Sequence, residues 1–374
     1  MSSPVASNQD EETYDSIERQ SAWRTAWQNN KGAGLILCAE AFGSSTDAIV
    51  RFLQQGGHGM HPFQVIFARM ITTLILSLLY MWWTKVPAPL GDPSVRHWLL
   101  LRAVFGFSGL FCLYYSVHYL PLAEATVFRF LVPIVTAWAC SVFLGQTFTR
   151  KELIAGLIAL LGVIIIAHPS SIFGEVDDSI KAREGGVDRV TSGQRLLAIL
   201  VSILGVVGAA GAYTMIRVIG NRAHALVSVS YFAALGTIGS TIALLVIPGM
   251  SFTMSHGPRE WILLLLLGLG GFGLQFLLTA GLQLDKSSKA TSMLYTQVLF
   301  ALAFDWAIWG VLPTGWSFLG GSIIIASTLW SALQKPHQNS KEEAKTKAVD
   351  EENALLAHER ESVEEVVRRG SIDT

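Results

Sequence analysis

Residues 261–284 read WILLLLLGLGGFGLQFLLTAGLQL, a stretch without a single Asp, Glu, Lys or Arg. A helix rises about 1.5 Å per residue, so roughly 20 such residues cross a hydrocarbon layer of about 30 Å. The apolarity is continuous, whereas the strands of a membrane barrel alternate at every second position, so the stretch predicts a spanning helix. Comparable stretches lie near 32–53, 62–83, 99–119, 121–144, 152–168, 196–217, 225–247, 288–311 and 316–334, which makes ten in all.

The distribution of charge agrees. Mean hydropathy is +0.45 and only 15% of residues are charged, against about 25% in ordinary soluble domains. Residues 1–31 and 335–374 hold 25 of the 55 charged residues, so the 303 residues between them average one charge in ten. A water-facing surface could hardly be built from that, and lipid is the expected solvent. The net charge of −1 and the absence of a basic domain argue against nucleic acid. Cys38, Cys112 and Cys140 lie in apolar stretches without CxxC or zinc spacing, so they are expected to pack, with no metal or other cofactor. The first 31 residues have no apolar core, so the first helix should act as an uncleaved anchor.

A gap-free shift of 165 residues lays the third to fifth stretches on the eighth to tenth. Gly106-Phe107 meets Gly271-Phe272, Phe111 meets Phe276, Ala125-Thr126 meets Ala290-Thr291, Gly145 meets Gly310 and Gly156 meets Gly321. The expected fold is therefore all-α, with ten transmembrane helices in two five-helix repeats. Because five is odd, the second repeat enters the membrane inverted. The expected layout is a cytosolic N-terminal tail at 1–31, a first repeat at 32–168, a non-cytosolic loop at 169–195, a second repeat at 196–334 and a charged tail at 335–374. That tail is too charged to bury a core and is expected to be disordered or loosely helical. Short-loop basic residues such as Lys85, Arg150, Lys151, Arg217 and Arg222 collect on the side of the two ends, which places both termini in the cytosol.

Three stretches carry a family resemblance: MHPFQVIFAR (60–69), LLLRAVFGFSGLFCLYYSVHYLPLAEATVF (99–128) and FTRKELIAGLIALLGVIIIAHP (148–169). They resemble EamA-type members of the drug/metabolite transporter superfamily, especially a branch common in fungi. Residues 266–301 are similar to that family's second repeat, and the resemblance spans roughly 30–334. It implies a cavity between the repeats, lined by helices one, three, four, six, eight and nine, and transport by alternating access. This chain departs from the branch at Arg129, where a small or hydroxyl residue is usual after AT-x-x.

Ionisable groups in hydrocarbon cost about 2.5–3.5 kcal/mol each on insertion scales, so each needs a reason. Glu40, Gly43, Ser44, Asp47 and Arg51 form a polar stripe on one face of the first helix. They can line a cavity, or Asp47 and Arg51 can pair locally at i, i+4. Arg129 shares a face with Thr126 and Pro133 and wants an anion, from the protein or from the cargo. Asp305, deep in the ninth helix, is either a coupling carboxylate or a partner of a neighbouring helix. Arg69 reads as structural, and Arg102, near a helix end, reads as an interfacial anchor. Tyr114, Tyr115, His118, Tyr213, Gln275, Thr279, Tyr295 and Gln297 would supply hydrogen bonds to a polar cargo or to neighbouring helices.

No HExxH, paired-aspartate or nucleophile–base pattern suggests an enzyme. The expected role is secondary transport of a small polar or anionic metabolite, with a proton or counter-metabolite as coupling partner. A plasma membrane or endomembrane would be the setting, and the alternative is a receptor or scaffold on a transporter-like bundle. The tail carries an acidic dileucine pattern at Glu351–Leu356 and a basic-directed kinase pattern at Arg368–Ser371.

Overall fold

The computed structural model describes residues 30–53, 60–120, 122–146, 149–167, 192–246, 257–285, 288–310 and 315–333. The chain divides into two units, Met1–Ser331 and Ala332–Thr374, and only residues 332 and 333 of the second are described. The tail patterns and nearly all of the expected 169–195 loop lie outside the described residues.

Every regular element among the described residues is helical. They are α1 (Asn30–Leu53), α2 (Pro62–Trp83), α3 (Arg96–Tyr119), α4a (Leu122–Arg129), α4b (Val132–Leu144), α5 (Arg150–Ala167) and α6 (Ser192–Ile219). The remainder are α7 (Ala225–Val246), α8 (Pro258–Leu284), α9a (Ser288–Ser292), α9b (Thr296–Trp309) and α10 (Gly315–Leu333). Seven spans are long and apolar enough to cross a membrane: α1, α2, α6, α7, α8, and residues 125–144 and 290–309 of the broken helices.

Two helices break, for different reasons. Pro133, in the first turn of α4b, has no N–H to offer the carbonyl of Arg129, so α4a stops there. In α9 no proline intervenes; a tight 3₁₀ turn over Met293–Tyr295 separates the halves, and Thr296 Oγ1 donates to the Met293 carbonyl at 2.6 Å. The breaks fall at Phe130 and Tyr295, 165 residues apart, and those two rings stack with centroids 6.1 Å apart. Both broken helices also end alike. Gly145 (φ 64°) and Gly310 (φ 65°) are left-handed C-caps with open space where a Cβ would stand, so glycine is there for its backbone.

Close packing uses small residues. A Cβ on Gly109 of α3 would lie 2.8 Å from the Ala209 nitrogen of α6, and one on Gly281 of α8 would lie 2.9 Å from the Gly32 carbonyl of α1. Without a hydrophobic drive between helices in lipid, such backbone approach supplies the dispersion contact. The first three helices alternate in direction. Leu53, Met60, Val65 and Leu267 gather at one end of the bundle, and Met81, Val95, Leu99, Ile219 and Leu226 gather at the other. Outward faces expose Ile75, Leu79, Leu204, Ile242 and Leu265. A soluble monomer rarely shows so much apolar surface, and lipid is its natural cover. Trp82, Trp83, Trp261 and Trp316 are exposed close to helix ends, as interfacial anchors are.

Two helix bounds correct the sequence reading. Arg102 was expected near a helix end, but α3 begins at Arg96, which carries Arg102 two turns into the bundle at 3% exposure. Arg217 was expected in a cytosolic loop. Instead α6 runs on to Ile219, and Arg217 is buried with its Nη2 donating to Thr291 Oγ1 at 2.8 Å and its Nη1 to Gln146 Oε1 at 3.3 Å. The local i, i+4 pairing of Asp47 with Arg51 does not form; each finds a partner on another helix.

Candidate functional site

A cavity of about 180 Å³ opens in the middle of the bundle. Its lining includes Glu40 from α1, Arg102 from α3, Arg129 from α4a, Tyr213 from α6, Gln275 from α8 and Gln297 from α9b. Two further helices contribute beyond the six that the resemblance implied: α2 through Arg69 and α7 through Phe232. The matched glycines of the two halves explain both. A Cβ on Gly106 would come within 3.0 Å of the Phe232 ring, and one on Gly271 within 2.8 Å of Arg69 Nε. The absent side chains leave room for a ring in one half and a guanidinium in the other.

The helix breaks bring polar groups to a shared carboxylate. Arg129 is the last residue of α4a and Gln297 is the second of α9b. Arg129 Nη1 reaches Asp47 Oδ2 at 3.4 Å, and Gln297 Nε2 donates to the same oxygen at 3.0 Å. Ser44 Oγ donates to the Gln297 carbonyl at 2.8 Å, and Gly43 leaves the space in which the Gln297 amide lies. The end of a helix also carries partial negative charge, which favours Arg129 where it stands. Asp47 and Arg129 keep substantial exposed area, so the pair is worth little to stability.

Deeper in, Glu40 is 4% exposed on the cavity wall. Arg102 Nη2 donates to Gln275 Oε1 at 3.0 Å, and its guanidinium carbon lies 4.5 Å from the centre of the Phe232 ring. A cation over an aromatic face is attracted by the ring quadrupole, by about 0.5–2 kcal/mol. At another edge of the cavity Ser202 Oγ donates to Ser116 Oγ at 2.8 Å.

Of the residues singled out from sequence, Glu40, Arg129, Tyr213, Gln275 and Gln297 meet at this cavity, with Asp47 bonded to two of them. The other candidates for the substrate path lie elsewhere. Tyr295 is 1% exposed, in a cluster of α4, α5, α9 and α10 with Phe130, Leu160 and Ile324. Thr279 is fully buried in α8, while Tyr115 and Thr126 are half-buried and absent from the lining. Asp305 stands apart at one end of the bundle, where its Oδ1 takes Arg51 Nη1 at 2.9 Å. Arg51 also lies 4.4 Å over the Trp309 ring, which stacks on Phe52. The side chains of Tyr114 and His118 are outside the described residues. Sequence reasoning missed Arg102, Phe232, Ser116 and Ser202 as cavity residues. For Phe232 the matched Gly106 was a usable signal; for the two serines there was none. Among the described residues no group of three His, Cys, Asp or Glu side chains could hold a metal ion.

Comparison with known proteins bears on this architecture. Residues 30–168 and 196–333 each match the EamA-like transporter family. The chain is 42% identical over 274 residues to an uncharacterized membrane protein of Saccharomyces cerevisiae, covering 72% of this chain and 66% of that one. It is 35% identical over 310 residues to a protein of the same yeast named as a probable transport protein, covering 80% of this chain and 88% of that one. A solved crystal structure superposes with a TM-score of 0.64 at 14% identity, over 82% of this chain and 96% of that one, which speaks for the fold alone.

Proposed function

This chain belongs to the EamA-like transporter family, and we propose that it is a secondary transporter that moves a small polar or anionic metabolite by alternating access. Arg69, Arg102 and Arg129 line one cavity with Glu40, and Asp47 pairs with Arg129, so three cations face two carboxylates there. Arginine does not shed its proton, so an excess of such groups in hydrocarbon calls for an anion from outside the protein. That single excess of positive charge is the observation that favours an anionic cargo. The hydrogen-bonding groups of Tyr213, Gln275 and Gln297 suit its polar remainder. A membrane transporter, rather than an enzyme, is also what the family and its named members indicate.

Ten spanning helices in two inverted repeats fit the internal symmetry. The two breaks and the two left-handed glycine caps stand 165 residues apart, and α3 packs on α6 as α8 packs on α1. On this reading both ends of the chain are cytosolic, the protein sits in the plasma membrane or an endomembrane, and a proton or counter-metabolite drives the cycle. Alternating access needs ties at both ends that can loosen in turn. Arg51 with Asp305 is the candidate at one end, and Arg217 with Gln146 and Thr291 at the other.

The test is flux. Purified protein in vesicles loaded with a cell metabolite extract should release some solutes at a saturable rate, identified by mass spectrometry against empty vesicles. No saturable release of any solute would leave a receptor or scaffold as the better account.

A further inference from the structure

Among the described residues, Arg69, Arg102, Arg129 and Arg217 lie inside the bundle, and they differ in what answers their charge. Arg129 has Asp47, Arg217 has Gln146 and Thr291, and Arg69 also has partners within the protein. Arg102 is 3% exposed, yet it meets no carboxylate among the described residues. Its one hydrogen bond runs from Nη2 to the neutral amide of Gln275, while Nε and Nη1 have no acceptor. Its guanidinium carbon lies over the Phe232 ring and both residues border the cavity, while the two unmet donors are covered in this state.

A buried cation with unmet donors is costly to keep in an empty protein. A ligand that brings an oxyanion removes that cost, because hydrogen bonds between ionised groups are short and strong. We infer that Arg102 is the primary anchor for the cargo: its guanidinium, stacked on Phe232 and beside Gln275, turns its open donors toward an incoming carboxylate or phosphate oxygen. Arg129, already answered by Asp47, then tunes the cavity rather than carrying the anion. This inference rests on the anionic cargo proposed above and assigns the residue that selects it.

Thermal unfolding of the detergent-purified protein tests both parts. Arg102→Met keeps the length of the side chain and removes the charge. Without ligand it should melt a few degrees above wild type, because the unmet donors are gone. Succinate and glycerol 3-phosphate serve as carboxylate and phosphate probes, with glycerol and potassium chloride at matched concentration as controls. At least one of the two anions should raise the wild-type melting temperature, should do so less in Arg102→Lys, and should have no effect on Arg102→Met. Which anion acts distinguishes the two oxyanion sources. An Arg102→Met protein that fails to fold or melts lower would make Arg102 a structural residue and overturn the inference. Equal stabilisation of wild type and Arg102→Met would overturn it too, while leaving the anionic cargo standing. Stabilisation of wild type by neither anion would overturn the anionic cargo itself.

Discussion

Asp47 on α1 and Arg129 at the end of α4a meet at 3.4 Å on the same carboxylate oxygen that holds Gln297 of α9b. A permanent cation at a helix break thereby has a counter-charge from another helix, and the first helix is tied to both broken ones. Two expectations were open for Arg129, a protein partner or an anionic cargo, and the geometry supplies the first.

Arg129→Ala should therefore express and fold, with a stability loss of about 1 kcal/mol or less, because both partners keep exposed area. Asp47→Ala should cost more than Arg129→Ala, since it also strips Gln297 of its acceptor. The double variant should cost less than the sum of the two, with a coupling of roughly 0.5–1 kcal/mol read from a double-mutant cycle. Strict additivity in thermal unfolding would mean that the pair does not form.

The Arg51–Asp305 pair invites a charge swap. Asp305→Asn should destabilise by about 1 kcal/mol or less, because the pair is more than a third exposed. Exchanging the two, Arg51→Asp with Asp305→Arg, should recover only part of both stability and flux. The swapped guanidinium would no longer lie over Trp309. Full flux in Asp305→Asn would remove the pair from the transport cycle.

Backbone contact between α3 and α6 makes a steric prediction. Gly109→Val forces a side chain against Ala209 and should cost about 1–3 kcal/mol by overpacking. Gly34→Ala on α1 has nothing within 4 Å and should be neutral or stabilising by up to about 1 kcal/mol. Equal melting temperatures for Gly109→Val and wild type would contradict the approach of the two helices.

Topology can be checked at described, exposed positions. Asp92 lies in the connection from α2 to α3, and Arg259 lies at the start of α8, at the opposite end of the bundle. Cysteines placed there should react with an impermeant thiol reagent from opposite sides of the membrane, Asp92→Cys from the cytosolic side. Labelling of both from one side would refute the proposed inverted repeats.

What the sequence made legible were the features fixed by local chemistry. Gly145 and Gly310 could be matched in the string because a left-handed cap demands glycine whatever surrounds it. Pro133 breaks α4 because proline lacks the N–H, a reason present in the string, while the break in α9 has no such residue. Arg102 was misplaced because its meaning depended on where α3 begins, and three residues decide whether a cation can reach the interface. The partners of Asp47, Arg51 and Asp305 were hidden because they come from the packing of α1 against α4 and α9, contacts across dozens to hundreds of residues. Tyr295 reads as a cavity residue by its polarity, yet it sits under Phe130, because its place is set by the symmetry of the two breaks.

The central claim is that the excess of arginine in the cavity selects an anionic cargo for transport. Its most direct test compares wild type with the Arg102→Met, Arg129→Ala double variant in vesicles loaded with the same cell metabolite extract. Wild type should release a set of acidic metabolites at a saturable rate, and the folded double variant should release those same compounds at least tenfold more slowly. Saturable release confined to neutral or cationic solutes, or equal release of acidic ones by both proteins, would contradict the account.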